Sequence, residues 1–212
     1  MSKEFQNFHL IDSSIVKRDI TILRDKNSTP EKFRVVVKRL SQFLAVEISK
    51  QFKLEEFEVE TPLEKTIGYK LSHEIVIVPV LRAGLGMVDG FLRIIPEANV
   101  GHIGMQRNEE TLEPEVYYFK TPKNLSEDKV LVIDPMLATG GSASAALNYL
   151  KEQGAKDIIF ACIVAAPKGI KKIEKDHPDV AIYGTALDRE LNDKGFILPG
   201  LGDAGDRTFG TL

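Results

Sequence analysis

The chain contains a single cysteine, Cys162, so no disulfide can form within it and a zinc site built on cysteines is excluded. Its four histidines are scattered, without metal-ligand spacing. Lys and Arg number 28 against 31 Asp and Glu, a net charge of −3. That balance lacks the basic surplus with which a protein coats nucleic acid or an anionic membrane, and neither is expected as a partner. No run approaches the roughly 20 apolar residues that span a bilayer. The first residues, MSKEFQNFHLID, hold no apolar core of a secretory signal. A cytoplasmic location is the expectation.

What is present is ordinary in amount: 212 residues, 43% hydrophobic and 28% charged, enough for one domain spanning 1–212. Thr29 and Pro30 read as the cap and first residue of a helix. Behind them Phe33, Val36, Val37, Leu40, Phe43, Leu44 and Ile48 recur at helical spacing. Its apolar face exceeds what one layer needs, which points to a homodimer.

Short apolar runs follow at Glu74–Val80, Asn99–Met105, Lys129–Asp134, Asp157–Val164 and Val180–Thr185. Helical patterns lie between them at Met87–Ile95, Ser142–Gln153 and Lys168–Lys175. Near-continuous apolar strands alternating with helices predict an α/β fold, an open doubly wound parallel sheet with helices on both faces. Ligands then bind at the carboxyl ends of the strands. Asn108–Lys120, charged and then aromatic, reads as a β-hairpin or a small β-flap next to the sheet. The glycine-rich tail after Glu190 is expected to hold no helix, and is either frayed or a ligand loop.

The segment VLVIDPMLATGGSA, residues 130–143, carries the most information. An apolar strand ends in Asp134, a turn follows with Thr139, Gly140, Gly141 and Ser142, and a helix begins. Glycines let backbone amides approach an anion, and a helix N-terminus adds free donors and positive partial charge. The alternative is an ordinary tight turn capped by Ser142. A Walker loop is excluded, because its lysine is missing. Arg82, in VLRAGLGM at the end of another strand, suits a phosphate, or is simply solvated. Arg107 closes the following strand and faces the same crevice, or lies free in a loop. Gly84-x-Gly86 also resembles a loose dinucleotide fingerprint, though Arg107 stands near where an acid would be expected. Tyr183, at a strand end, either faces the crevice or packs. Cys162, in an apolar strand, reads as buried and inert.

Residues 130–143 resemble the phosphoribosyl pyrophosphate (PRPP) motif of the type I phosphoribosyltransferases. Most members carry two adjacent acids; Asp134-Pro135 has one, the form of the uracil phosphoribosyltransferase branch. VLRAGLGM, the region of Arg107 and YGTALDRELNDKGFILPGLGDAGDR are similar to that branch too. The resemblance implies transfer of a phosphoribosyl group from PRPP to uracil, giving uridine monophosphate (UMP) and pyrophosphate. It implies that Arg82, Arg107, Asp134, Pro135, Met136, Leu137, Ala138, Thr139, Gly140, Gly141, Ser142 and Asp203 bind PRPP. Ile197, Gly202, Asp203 and Ala204 would contact uracil, with Asp134, Arg107 and Asp203 in the chemistry.

Magnesium would be bound mainly through PRPP, with no metal cage of protein ligands. Family members form homodimers or homotetramers, and some respond to a GTP effector. Uracil presents acceptor, donor and acceptor along one edge, which the backbone of Gly195–Arg207 could answer. Open alternatives are a phosphoribosyltransferase for another base, an RNA-binding regulator of the same fold, and a nicotinamide-dependent oxidoreductase.

Overall fold

The structure is a computed structural model, and it describes residues 5–107 and 114–211. The N-terminal part runs β1 (Phe8–Leu10), α1 (Ser14–Arg24), α2 (Pro30–Ser49), β2 (Leu54–Glu60) and β3 (Lys65–Leu71). The middle runs β4 (Ile75–Leu81), α3 (Leu85–Ile94), β5 (Asn99–Val100), β6 (His102–Arg107), β7 (Pro114–Lys120), β8 (Lys129–Ile133) and β9 (Met136–Leu137). The C-terminal part runs α4 (Gly141–Glu152), β10 (Asp157–Ala165), α5 (Pro167–Asp176), β11 (Ala181–Leu187), β12 (Glu190–Leu191), β13 (Ile197–Leu198) and α6 (Ala204–Phe209).

The main sheet has the order β1-β11-β10-β8-β4-β6-β7. Every pairing along it is parallel except β6 with β7. The central strands split their side chains by the two-residue period. Ile75, Ile77, Leu131, Ile133, Ile159 and Ala161 pack under α1, α2 and α3. Val76, Val78, Val130, Val132, Ile158 and Phe160 pack under α4 and α5. A strand buried on both faces must read as a continuous apolar run, and these do.

The connection after β4 passes through α3 to β6 on one side, while the connection after β8 passes through α4 to β10 on the other. Adjacent strands whose connections diverge leave a crevice at their carboxyl ends. Arg82 follows β4 and Asp134 follows β8, so both emerge at this switch point.

Thr29 caps α2 as expected, accepting from the Lys32 amide at 3.3 Å, with Pro30 in the first turn. The α2 face is buried within the chain: Phe33, Leu40, Leu44 and Ile48 are fully covered. Val35 and Val46, on the rest of the helix, remain exposed. Close approach of α2 to α3 depends on Gly90, where a Cβ would fall 2.5 Å from the Lys38 carbonyl oxygen.

Several expectations change. The tail does form a helix: Asp203 caps α6 by accepting from the Asp206 amide at 2.9 Å, and Gly210 ends it at φ +71°. Good caps at both ends outweigh the helix-weakening Gly205. Of Asn108–Lys120 the described part is β7, which pairs antiparallel with β6 at the sheet edge, in keeping with the hairpin alternative; residues 108–113 lie outside the described residues. Asn99–Met105 is two strands in one register on β4, interrupted at Gly101: Asn99 and Val100 pair with Val76 and Ile77, and Ile103 and Gly104 with Val80 and Leu81. Tyr183 lies within β11, buried and stacked on His9 at 4.7 Å between centroids, away from the crevice. Cys162 is buried in β10, where burial pushes its thiol pKa up. The β2–β3 hairpin and α1 were not anticipated. Among the described residues no helix is long and apolar enough to cross a membrane.

Candidate active site

At the switch point lies a cavity of about 280 Å³. Three stretches meet there: 134–143 after β8, 195–197 on the β12–β13 turn, and 202–205 leading into α6; Ala83 closes the side nearest β4.

The loop after β8 is shaped by its neighbours. The Asp134 amide donates to the Ala161 carbonyl at 3.1 Å, continuing the sheet by one residue. Pro135 turns away, its carbonyl accepting from the Ile163 and Val164 amides at 3.1 and 3.0 Å. The chain then lifts over α5. Gly169 of α5 touches the loop so closely that a Cβ would lie 2.6 Å from the Ala138 carbonyl oxygen. Gly140 has φ +80°, a left-handed conformation that favours glycine, and its own Cβ would meet Gly169 O at 3.0 Å.

Helix α4 starts immediately after Gly140 and has no side-chain cap. Its Gly141 amide reaches the Thr139 hydroxyl at 3.3 Å, at the long end for a hydrogen bond. The first turn of a helix has amides without intrahelical partners, and these front the cavity. Ser142 does not serve as the cap. The arrangement is an anion cradle at a helix N-terminus.

Asp134 sits beside the cradle, half-buried at the cavity wall. Burial pushes its carboxyl pKa up to about 7; its one opposing influence is the Met136 amide, which donates to Oδ1 at 3.1 Å.

The facing wall is held from outside the sheet. Gly200 and Gly202 have φ of +61° and +73°, so the loop turns sharply. Arg207 of α6, stacked over Phe33 at 4.6 Å, donates to the carbonyls of Leu23, Leu201 (2.8 Å) and Asp25 (2.6 Å). Burial lowers its pKa, and its partners are carbonyl oxygens that only a multi-donor fork can satisfy together. This arginine was passed over in the sequence because nothing local marks its distant carbonyl partners.

The structure brings Asp134, Met136–Ser142, Ile197, Gly202, Asp203 and Ala204 to the one cavity, and adds Gly195, Phe196, Gly205, Ala83 and Ala143. Pro135 does not line it. Arg82 stands at the rim, 57% exposed, its Nη2 3.1 Å from Asp206 Oδ1. The Thr211 hydroxyl and then Arg82 hold the Asp206 carboxyl below its usual range. Arg107 ends β6, and its side chain lies outside the described residues. Asp203 Oδ1 is engaged as the α6 cap. The Gly84-x-Gly86 turn contributes no cradle of its own: a Cβ at Gly84 would lie 2.5 Å from the Ile133 carbonyl oxygen, so this glycine serves packing.

A doubly wound sheet with a glycine-opened amide cradle at its switch point, beside an acid that ends a central strand, has the architecture of a type I phosphoribosyltransferase. The family model "Uracil phosphoribosyltransferase" matches residues 10–211. Curated proteins of that name from Salinibacter ruber and Finegoldia magna are 52% identical over 206 residues and 53% over 203; the alignments cover 97% and 95% of this chain and 98% and 97% of theirs. The chain belongs to the uracil phosphoribosyltransferase family. The solved AQ2163 protein from Aquifex aeolicus superposes with a TM-score of 0.89 at 39% identity, covering 95% of this chain and 97% of that one. A hypoxanthine phosphoribosyltransferase from Trypanosoma cruzi shares the fold alone, with a TM-score of 0.50 at 12% identity over 77% of this chain and 76% of that one.

The raised pKa of Asp134 has a consequence for the ligand-free protein. An acid that is harder to ionise when folded weakens the fold as pH rises: the penalty begins near the unfolded pKa of 3.8 and is complete above about 7. Its ceiling is on the order of 4 kcal/mol. Asp134→Asn keeps an oxygen for the Met136 amide and removes the titration. The melting temperature of the variant is expected to gain on the parent between pH 5 and pH 8. A difference that stays constant over that range would contradict the assignment.

Proposed function

We propose that this chain transfers the phosphoribosyl group of PRPP to uracil, releasing pyrophosphate and yielding UMP. The observation that carries the reading is the uncapped α4 N-terminus behind Gly140 and Gly141, set beside Asp134 and facing a loop of backbone groups across one cavity.

In this reading the amides of 137–142 hold the 5′-phosphate, with the Thr139 and Ser142 hydroxyls as further donors. Asp134 accepts from the ribose hydroxyls. Those bonds favour its charged form, against the burial that pushes its pKa up to about 7. The bond from C1′ to the diphosphate oxygen breaks as uracil N1 bonds to C1′, and the N1 proton is lost. Positive charge develops on the ribose ring, and the Asp134 carboxylate lies on its side of the cavity to stabilise it.

Arg82 and Arg107 meet the departing pyrophosphate. For Arg82 this means exchanging its exposed pairing with Asp206 for the stronger charge of the ligand. Among the described residues no three His, Cys, Asp or Glu side chains stand together as a metal cage. Asp203 would help to hold a magnesium ion brought in with PRPP, whose charge would offset that of the pyrophosphate. Ile197 and Gly202–Ala204 read the uracil edge with backbone groups, and cytosine leaves some of them unpaired.

The assay is direct. Mass spectrometry of uracil, PRPP and magnesium with the protein is expected to show UMP, with cytosine, orotate, adenine and hypoxanthine unconverted. In Asp134→Asn the same assay is expected to fall by orders of magnitude with the fold intact. Conversion of another base in preference to uracil would overturn the substrate, and near-parental turnover in the variant would remove Asp134 from the chemistry. GTP added to this assay tests activation.

A homodimer belongs to the same proposal, but on a different surface from the buried face of α2. The β2–β3 hairpin stands off the sheet with Leu54, Phe57, Ile67 and Tyr69 exposed, and Leu63 95% exposed at its tip. A lone two-stranded hairpin is marginal in water, so this one needs a partner surface. Replacing Leu54, Ile67 and Tyr69 by serine is expected to shift the sedimenting species toward the monomer. An unchanged oligomer would place the interface elsewhere.

A further inference from the structure

We infer that Arg24, on an N-terminal helix outside the sheet, is a positioning residue for base recognition, acting through Asp188 and Gly200. The inference rests on the reading of 197–204 as the base loop.

Arg24 ends α1. Its Nη1 donates to Asp188 Oδ2 at 2.8 Å and to the Gly200 carbonyl at 2.9 Å, and its Nη2 donates to Asp188 Oδ1 at 2.5 Å. Asp188 Oδ2 in turn accepts from the Gly200 amide at 2.8 Å. One arginine and one aspartate thus satisfy both backbone groups of Gly200. The ion pair is well covered: the Arg24 side chain is 27% exposed and that of Asp188 only 3%. Asp188 is itself fixed, its amide donating to the Ala165 carbonyl at the end of β10 at 2.8 Å.

This ring of bonds decides where the reading groups point. Gly200 has φ +61°, and a Cβ there would collide with the Ile197 carbonyl oxygen at 2.1 Å, so the loop doubles back on itself. The Leu201 carbonyl is taken by Arg207. With Gly200 and the Leu201 carbonyl committed outward, the chain enters the cavity at Gly202 in one orientation. Backbone recognition of a base edge fails when its donors drift by more than about 0.5 Å. Arg24 sets that position without lining the cavity itself. A lysine would keep the charge but not the planar fork that reaches two acceptors at once.

The cradle is built separately. Residues 134–142 are positioned by β10 and by Gly169 of α5, with no part of the Arg24 ring among them. Loss of Arg24 should therefore loosen the base and leave the 5′-phosphate of the donor alone; Asp203, which shares the base loop, meets the donor only through magnesium, so donor binding is read without the metal. That split separates positioning from general damage to the fold.

The test uses the full chain. Arg24→Ala and Arg24→Lys are compared with the parent in steady-state UMP formation and in equilibrium binding of PRPP without magnesium, with circular dichroism as the check on folding. The expected result for Arg24→Ala is a rise of at least ten-fold in KM for uracil, with the Kd for PRPP within two-fold of the parent. Arg24→Lys should fall between the two. If Arg24→Ala does not fold, the same split is read from Arg24→Lys. A uracil KM that is unchanged, or that rises in step with the Kd for PRPP, would overturn the inference. Failure of the underlying reading shows elsewhere, as an absence of UMP with the parent protein.

Discussion

A helix exposes unpartnered amides in its first turn, and they must find an acceptor. Helices α1, α2 and α6 supply their own, with Ser13, Thr29 and Asp203. Helices α3, α4 and α5, which follow the sheet strands, have no side-chain cap. For α4 the unmet demand is turned toward the cavity, and everything near it serves to keep it open. Gly140 supplies the left-handed turn, Gly169 lets α5 lie against the loop, and Ser144 ties α4 to Asp176 at the far end of α5 at 3.0 Å. A phosphate dianion meets the demand far better than a neutral hydroxyl. Asp134 beside it answers to a different influence: burial pushes its carboxyl pKa up to about 7, and hydrogen-bond donors on a ligand would favour the charged form.

The opposite wall follows a different rule. It is made of backbone, which cannot carry specificity unless something rigid holds it. The holding is done by arginines at the ends of the N- and C-terminal helices, Arg24 and Arg207, which cross to each other's segments. In the proposed reading the sheet thus presents the phosphate site, and the helices packed outside it present the base site.

How much of this could be read from the residues depends on the distance over which each contact acts. The α4 loop, the α2 cap and the central strands were legible because their signals are local: glycine beside a strand end, threonine before proline, and apolar runs that alternate between two cores. Helix α6 was overlooked because four glycines in Gly195–Arg207 outweighed a good Asp203 cap. Helix α1 carries its own signal, Ser13 ahead of Val16, Ile20 and Leu23, but it is short and largely polar. The hairpin partners β2 and β3 do alternate, with Phe57 and Val59 between glutamates and Ile67, Tyr69 and Leu71 at every second residue, so this hairpin was legible in the sequence although nearly every residue of it is exposed. Arg24 with Asp188 was out of reach: the partners lie 164 residues apart, and no local pattern marks either one. Resemblance to a family assigned the cavity residues in advance, but not the arginines that hold their backbone.

The central claim is that the amides of 139–142 receive the terminal phosphate of the sugar donor. A crystal structure of the protein with bound PRPP tests it most directly. The account predicts a 5′-phosphate with oxygens within about 2.7–3.2 Å of those amides, and the Asp134 carboxylate on the ribose hydroxyls. A phosphate bound elsewhere, with the α4 N-terminus left vacant, would contradict it.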